Sequence, residues 1–472
     1  MSYRQDPIHR TVQWLRGRRR SPAQPGTTFA DAWSEGARVR PGDVEVRPSL
    51  INYKPFERAR VVAEVTLVPG RPGSPPVTLN LFLHVFADPE AARREAQACA
   101  GPELPGCYGP PCLHIEDRHL VAWALPNAPN LQELRELLDP AGFQRLLSRA
   151  PELAAACGSA RGPTLVRYVP LKRALLVWDG AADGRRHYVK LIDGPAAAAA
   201  ALNLRELHAR AEHGELGFAV PRPVHYSPEL HTMIMTELPG RRFTAVMPAC
   251  RPAAFAEVGK AVASLHRLAT RPVSTWSPER EFADLRRHMR GVRRALPGLA
   301  GRLDALLERL ARPPALADAS RVPIHGNLFG DQILYNDRAP EGRRVGVVDW
   351  DAWSSGDAHF DLGRLIAHFL YVVRLRNLPE ADASACVGAL LRAYEAAGGA
   401  AINQPTLDWH IAAALLLRAK ISSLRTLRQG WPRHLELMVA EAERVLGASA
   451  PGVPRKARRS AAASIPAEAA AP

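Results

Sequence analysis

The sequence predicts an α+β chain in which β-rich segments come first and helices follow. The stretch beginning at Arg47 and the stretch beginning at Gly162 both have the pattern strand, proline-containing turn, strand. From about residue 252 onward, apolar residues recur at the spacing of amphipathic helices. Two short strands, Gln332 to Tyr335 and Val345 to Val348, interrupt that helical region.

The two β-rich stretches also resemble each other along their length. The strand at Phe82 to Asp88 precedes an Ala-rich helix, as the strand at Tyr188 to Asp193 does. Farther on, Leu113 to Pro126 is similar to Val224 to Pro239. Three matches in the same order predict a duplicated α+β unit, once at about 44–135 and once at about 162–242. Chance similarity between short strand-turn-strand units is the alternative.

Composition and hydrophobic patterning divide the chain into five expected parts. They are a basic N-terminal arm (1–43), a first α+β unit (44–158), a second α+β unit (159–242), a helical region with the embedded hairpin (243–446) and a tail (447–472). The arm contains one predicted helix, Pro7 to Arg16. The tail is rich in Pro, Ala and Ser without hydrophobic periodicity, so we expect it to be disordered.

Hydrophobic periodicity predicts six helices in the helical region. They are Ala253 to Leu268, Glu281 to Leu310, Leu362 to Arg376, Asp382 to Ala397, Leu407 to Leu427 and His434 to Leu446. The longest apolar stretches are far shorter than the roughly 20 residues of a membrane helix. The chain starts with a polar, basic segment rather than the apolar stretch of a signal peptide. We therefore expect a soluble, cytoplasmic protein.

The net charge of +15 raises the question of nucleic-acid binding. Eight of the basic residues lie in two short runs, at 16–20 and 455–459. Aromatic residues make up only 6% of the chain and form no run beside basic residues for base stacking. A nucleic-acid partner is thus disfavoured, whereas phosphates and other anions would be attracted. Six cysteines without a CxxC pair predict thiols, not a disulfide scaffold or a zinc site.

The embedded hairpin places polar groups together. The loop that follows Ile324 leads into the first short strand, and Asp349 follows the second. A carboxylate and an amide oxygen at the ends of one hairpin suit a magnesium site. Phosphoryl transfer needs such a site, together with a lysine on the nucleotide phosphates and a group that aims the attacking hydroxyl.

The motifs in this region resemble those of aminoglycoside phosphotransferases, choline kinases and maltokinases. The similar segments are His325-Gly326-Asn327 with Gln332 five residues later, Val348-Asp349-Trp350-Asp351, and Gly356-Asp357 with Phe360-Asp361-Leu362. The resemblance covers about 162–446. It implies a two-lobed protein-kinase-like fold, with a β-rich N-lobe at 159–242, a helical C-lobe at 243–446 and a duplicated N-lobe-like unit in front.

The resemblance also implies a nucleotide site for ATP. Lys190 matches the phosphate-binding lysine, and Glu206 on the following helix matches its ion-pair partner. Glu212 and Glu215 are close competitors for that position. The backbone groups of Glu237 and Leu238 match the hinge that bonds the adenine edge.

The implied Mg²⁺ ligands are Asp349 and Gln332, with Asp349 also counted as catalytic. In the same motifs, Asp361 is expected to brace the catalytic loop, and His325 is expected to be a packed, hydrogen-bonded loop residue.

Asn327 departs from the family pattern, which has Asp there. An amide cannot take the proton of the attacking hydroxyl near neutral pH, and general-base help is worth about 10²–10⁴-fold. Because phosphoryl transfer depends mainly on positioning and electrostatics, turnover need not be lost. Two hypotheses stay open: an ATP- and Mg²⁺-dependent phosphotransferase in which Asn327 orients a hydroxyl, or a nucleotide-binding pseudokinase that acts as a protein-interaction module.

The acceptor and the first unit are less defined. The C-terminal helices are basic, with Arg418, Lys420 and Arg425 among their residues, so we expect a small neutral or anionic hydroxyl compound, such as a sugar, rather than a cationic aminoglycoside. In the first unit His84 stands where Lys190 stands in the second, so that unit is not expected to catalyse. It packs on the kinase lobe, binds a protein partner or forms a dimer contact through residues 44–135.

Overall fold

The computed structural model describes residues 3–17, 25, 28–29, 39–69, 77–98, 112–129, 131–149, 162–179, 184–315, 317 and 320–448. Both basic runs, apart from Arg16, and the tail beyond Ala448 lie outside these residues. The helix expected in the arm is present as α1, Pro7–Leu15, with the Asp6 carboxylate accepting a hydrogen bond from the Ile8 amide as its N-cap.

The first unit is a five-stranded antiparallel sheet with strand order β1-β2-β3-β5-β4. Its strands are β1 Val39–Lys54, β2 Arg58–Pro69, β3 Val77–Phe86, β4 Cys112–Ile115 and β5 Leu120–Ala124. Its helices are α2 Pro89–Gln97, α3 Glu133–Leu138 and α4 Pro140–Ser148. Cys112 is disulfide-bonded, so the expectation that the cysteines are thiols is wrong for this residue.

The second unit repeats the order of the first, as β6-β7-β8-β10-β9. Its strands are β6 Thr164–Val169, β7 Arg173–Trp178, β8 His187–Ile192, β9 Pro223–Ser227 and β10 Thr232–Thr236, and its helix is α5 Ala196–Glu212. In both sheets a helix follows the third strand. The shared order agrees with a duplication, which stays a prediction.

The sheet of the first unit is buried on both faces. Along β2 and β3, Val61 and Leu83 face one core and Val62 and Phe82 face another, as the two-residue period of a strand requires. The second of these cores also contains residues of the second sheet, such as Trp178. The first unit therefore packs against the N-lobe, which was one of the three expected arrangements.

The C-lobe is helical, with five short strands. The helices are α6 Phe243–Val246, α7 Pro252–His266, α8 Pro278–Ala295, α9 Ala300–Leu310, α10 Ala358–Arg376, α11 Glu380–Ala396, α12 Gln404–Ala419 and α13 Trp431–Ala448. The strands are β11 Arg241–Arg242, β12 Val322–Ile324, β13 Ile333–Tyr335, β14 Val345–Val347 and β15 Ser354–Gly356. Among the described residues, no helix is long and apolar enough to cross a membrane.

Two helix predictions need correction. The single helix expected from Glu281 to Leu310 is two helices, because Pro297 lacks an amide hydrogen and stops α8. The helix expected from Leu407 to Leu427 ends as an α-helix at Ala419 and continues as a π-helical segment, Lys420–Leu424. Such segments are rare and are frequent at functional sites.

Candidate functional site

The β13–β14 hairpin holds the predicted metal-binding residues side by side. Ile333 pairs with Val347, and the Val348 amide donates to the Gln332 carbonyl at 2.9 Å. Gln332 therefore lies beside the residue that precedes Asp349. The backbone of Ala219 bonds to β14 from the N-lobe side, which fixes the hairpin at the cleft between the lobes.

Asp349 has an unusual backbone conformation, with φ 71° and ψ 57°. Residues other than glycine adopt this left-handed region at a cost of roughly 1–3 kcal/mol, and such strain concentrates at functional sites. One oxygen of its carboxylate lies 2.7 Å from the Lys190 ammonium and 3.5 Å from the Arg173 guanidinium. Burial alone would raise the pKa of Asp349, but Lys190 and Arg173 outweigh it and hold that pKa well below its usual range. The residue is thus an anion at any physiological pH.

Asp351 completes an ionic cluster of two carboxylates and two cations. Its carboxylate lies 2.6 Å from the Lys190 ammonium and 3.2 Å from the Arg173 guanidinium. Lys190 comes from β8 and Arg173 from the start of β7, so both cations cross from the N-lobe to the C-lobe. The cluster therefore joins the two lobes through charged side chains at the cleft.

Gln332 fits the role of a metal ligand. Its side-chain oxygen is buried and has no hydrogen-bond partner among the described residues. A buried carbonyl oxygen without a partner costs about 1–3 kcal/mol, which a cation would remove. The described residues contain no group of three or more His, Cys, Asp or Glu able to hold a metal. One carboxylate, one amide oxygen and substrate phosphates form the type of set that Mg²⁺ uses.

Asp361 holds the loop before the hairpin through hydrogen bonds from the loop backbone, as predicted. Its buried carboxylate accepts from the amides of His325, at 2.6 Å, and Gly326, at 3.1 Å. Gly326 has φ 77°, and a side chain there would meet the Ala352 carbonyl oxygen at 2.1 Å. The tight turn and the close approach both require glycine.

His325 is a structural residue, also as predicted. The ring is fully buried, its Nε2 donates to the Val348 carbonyl at 3.0 Å, and its Nδ1 accepts from the Asn327 amide at 3.3 Å. Both ring nitrogens are thus used to join the loop to the hairpin, and neither is free to act as a base.

Asn327 is hydrogen-bonded to the guanidinium of Arg364, which is itself paired with a carboxylate. Its side-chain oxygen accepts from Arg364 at 3.4 Å, and Arg364 lies 3.7 Å from the Glu281 carboxylate. The guanidinium also stacks 4.3 Å from the Phe360 ring centroid. A carboxylate in place of the amide would meet a cation already in position. Asn327 therefore offers Arg364 a neutral oxygen where the Asp of the family pattern would offer a charged one.

The expected ion pair between Lys190 and Glu206 is not formed. Glu206 is on α5 as predicted, but its carboxylate bonds Thr270 at 2.9 Å and Arg210 at 3.5 Å. Asn203, also on α5, does reach the turn that follows the hairpin, where its side-chain amide donates to the Trp350 carbonyl at 3.1 Å. Sequence spacing identified the helix, but it did not identify which of its side chains faces the cleft.

The predicted hinge follows β10, and part of it is already engaged. The Glu237 amide donates to the Arg186 carbonyl at 3.0 Å, and its exposed carboxylate faces the Tyr188 hydroxyl at 3.3 Å. The Glu237 amide is therefore unavailable to a nucleobase. The Glu237 carbonyl and the backbone of Leu238 stay as the candidate groups for the adenine edge.

Two residues near the site, Asp351 and Arg364, had no role in the sequence-based prediction, and Arg418 has a contact that was not predicted. Asp351 shares Lys190 with Asp349, and its position two residues later in the same motif was the available signal. Arg364 supports Asn327, and Arg418 lies 3.4 Å from Asp331 in the catalytic loop. No sequence signal marks Arg364, and the basic character of the C-terminal helices marked Arg418 without indicating its contact with Asp331.

Comparison with known proteins identifies a family for this chain. The model of the phosphotransferase enzyme family, APH, matches residues 173–410, which is half of the chain. No curated protein matches the chain. Similar solved structures include a choline/ethanolamine kinase family protein from Mesorhizobium loti, with 17% identity, 67% of this chain and 96% of that chain covered, and a TM-score of 0.43. Another is a spectinomycin phosphotransferase, with 11% identity, coverage of 64% and 98%, and a TM-score of 0.45.

The family assignment rests on the family model, which spans the β7–β8 strands, the catalytic loop and the metal-binding segment. The β7–β8 strands and the segment at Asp349 supply the four side chains of the ionic cluster. The chain belongs to the phosphotransferase enzyme family and has its two-lobed, protein-kinase-like fold.

Proposed function

We propose that this protein transfers a phosphoryl group from ATP, with Mg²⁺, to a hydroxyl group of a small molecule. The observation that carries the proposal is the contact of Lys190 with Asp349 across the cleft, at 2.7 Å, beside a buried and unpartnered Gln332 oxygen. A lysine for phosphates and two oxygen ligands for a metal are the parts that this reaction needs.

Each residue has a defined role in this proposal. Lys190 would bind the nucleotide phosphates, and Asp349 and Gln332 would hold Mg²⁺, which would neutralise charge on the phosphate oxygens. Arg173, in contact with both carboxylates, is placed to bind phosphate as well. Asn327 orients the attacking hydroxyl through its amide, with Arg364 fixing the amide from behind.

The acceptor in this proposal is neutral or anionic, with a sugar or sugar derivative as the expected class. Of the three basic residues named on the C-terminal helices, Arg418 is tied to Asp331. Lys420 and Arg425 are partly buried basic groups that remain, and they repel a cationic aminoglycoside. A supply of ATP places the reaction in the cytoplasm.

The pseudokinase hypothesis is supported by one observation, the amide at position 327. It predicts nucleotide binding without transfer. The ionic cluster and the unpartnered Gln332 oxygen favour a protein that binds nucleotide and metal over a scaffold that binds neither. Transfer of phosphate is what separates the enzyme from a nucleotide-binding pseudokinase.

The test is transfer of phosphate from ATP to a panel of neutral, anionic and cationic hydroxyl compounds, followed by mass spectrometry. We expect a phosphorylated product with a neutral or anionic acceptor, dependent on Mg²⁺ and absent in the Asp349→Ala variant. Nucleotide binding without any product would support the pseudokinase. Phosphorylation of aminoglycosides alone would contradict the proposed acceptor class.

A further inference from the structure

The π-helical segment Lys420–Leu424 joins the catalytic loop to the first unit. Just before it, Arg418 contacts Asp331 of the catalytic loop at 3.4 Å. Just after it, the Arg425 carbonyl accepts from the Tyr53 amide, at the end of β1, at 2.8 Å. One short stretch therefore spans the distance from the reaction centre to the first unit.

The β1–β2 turn of the first unit is seated on the C-lobe. Glu57 lies 3.7 Å from Arg294 on α8, and the same guanidinium lies 5.8 Å from the centroid of the Phe56 ring. The buried Asp6 carboxylate accepts from the Phe56 amide at 2.7 Å and from the Tyr53 hydroxyl at 2.5 Å. These contacts fix the end of β1, where Lys54 follows Tyr53, the residue whose amide bonds the Arg425 carbonyl.

Three cations collect beside this segment with little negative charge to balance them. Within the described part of the chain, Lys420 and Arg425 form no ion pair with a carboxylate, and Lys54 reaches only Glu57, at 3.9 Å. The Lys420 ammonium instead donates to the Nδ1 of His288, on α8, at 3.0 Å. Grouping like charges at partly buried positions is unfavourable unless an anion joins them.

The titration behaviour of the groups agrees with this geometry. Burial, followed by the charges of Arg425 and Lys54, lowers the pKa of Lys420 to about 8. Burial and the charge of Lys420 lower the pKa of His288 to about 4, so this ring is a neutral acceptor. Burial and the charges of two N-lobe arginines, Arg167 and Arg173, lower the pKa of Arg425. Arg173 in turn contacts Asp349, at the end of the cleft where the phosphates are proposed to bind, so Arg425 is electrostatically linked to that end.

We infer that Lys54, Lys420 and Arg425 bind an anionic group of the phosphate acceptor, so that the substrate is a hydroxyl compound carrying a phosphate or a carboxylate. The inference rests on the proposed function. It also assigns a task to the first unit, which contributes Lys54 and holds the turn in place. A unit that does not catalyse then forms one side of the acceptor site.

The test is calorimetric titration of the full chain with glucose 6-phosphate and gluconate as anionic probes and with glucose as the neutral control, each in the presence of ADP. A second titration measures the affinity for ATP with Mg²⁺. The variants are Arg425→Gln, Lys420→Gln and Lys54→Met, and Arg309→Gln is the matched control, because Arg309 is exposed on α9 and its loss changes the net charge equally. Removing one of several like charges is expected to leave the melting temperature unchanged or raised, so folding is not at risk.

We expect an anionic probe to bind at least tenfold more tightly than glucose. Each of the three variants should lower the affinity for the anionic probe by about fivefold or more. The affinity of Arg309→Gln for the probe, and the affinity of all variants for ATP, should stay within twofold of the wild-type values. Equal affinity of the variants and the wild type for the anionic probes would overturn the inference. An equal loss of affinity for ATP would overturn it too, because the cations would then serve the nucleotide. If the wild-type protein binds the anionic probe but no ATP, the proposed function is refuted, and with it the role of the cations in binding an acceptor. The three cations would then form an anion site of another kind.

Discussion

The two sheets of this protein carry a polar side chain at the same place and use it in opposite ways. His84 and Lys190 both lie on the third strand of a sheet, each followed by a helix. His84 bonds within its own unit, to Glu95 on α2, at 2.9 Å, and Glu95 also accepts from Trp123 at 3.2 Å. Lys190 instead pairs across the cleft with the carboxylates of Asp349 and Asp351, at 2.7 and 2.6 Å.

This difference distinguishes the structural pair of His84 and Glu95 from the candidate binding site at Lys190. The ring of His84 is buried, and its burial lowers the pKa more than the Glu95 carboxylate raises it, so the pair is neutral histidine with a carboxylate. A partner in the same unit cannot be exchanged for a ligand without disrupting the unit. A partner on the other lobe can be exchanged, because the lobes need only separate. The comparison predicts that His84 controls stability and Lys190 controls activity.

The largest effect is expected for Lys190→Met. Methionine keeps most of the length of the side chain but cannot hold phosphate, and removal of one charged donor from a transition state typically costs about 10²–10³-fold in rate. We expect a loss of that size in kcat/KM for ATP, measured in a steady-state transfer assay, in a protein that still folds. A decrease in kcat/KM of less than threefold would contradict the claim that Lys190 controls activity.

The next effect is expected for Asn327→Asp. Arg364 would lie beside the new carboxylate and keep it ionised, ready to accept the proton of the acceptor hydroxyl. We expect turnover to rise by about 10–100-fold, the lower part of the range for general-base help. A fall in turnover, measured in the same assay, would instead show that the amide is the adapted group.

A smaller effect is expected from pH. Lys420, with a pKa of about 8, is charged below that pH and neutral above it. It faces Arg425, Lys54 and Arg287, with Glu57 as the nearby carboxylate. Affinity for an anionic acceptor should therefore fall by roughly three- to tenfold between pH 7 and pH 9, as the ammonium loses its proton.

Calorimetric titration of glucose 6-phosphate across this range checks the pH prediction. The Lys420→Gln variant is the control and should bind the probe weakly with little dependence on pH. A steep dependence that persists in the variant would assign the titration to another group.

The smallest effect on activity is expected for His84→Leu, the counterpart of Lys190→Met in the first unit. Leucine leaves the Glu95 carboxylate without its imidazole partner, which is worth about 1–3 kcal/mol in a partly buried site. Urea unfolding should show a decrease of that size in the free energy of unfolding, whereas kcat/KM should stay within twofold. A large loss of activity without loss of stability would remove the distinction between the two units.

Much of the site follows from local sequence, and the parts that do not have physical causes. Gln332, Asp349 and Asp361 lie where their motifs predicted, because a hairpin and the helix after it are short-range structures. The prediction that Glu206 pairs with Lys190 was wrong, because the face that α5 turns toward the cleft depends on packing that sequence spacing does not encode. The break at Pro297 had a signal in the sequence, whereas the π-helical segment at Lys420 had none, since the apolar periodicity runs through it. Contacts such as Asn327 with Arg364 join distant segments and became visible only in the fold.

The central claim is that Lys190, Gln332 and Asp349 form a working nucleotide and metal site. The most direct measurement is the shift in melting temperature caused by ATP, with and without Mg²⁺, in the wild type and in the Asp349→Ala variant. The account predicts a rise that depends on Mg²⁺ in the wild type and is lost in the variant. No rise in the wild type, or a rise that is equal in the variant, would contradict it.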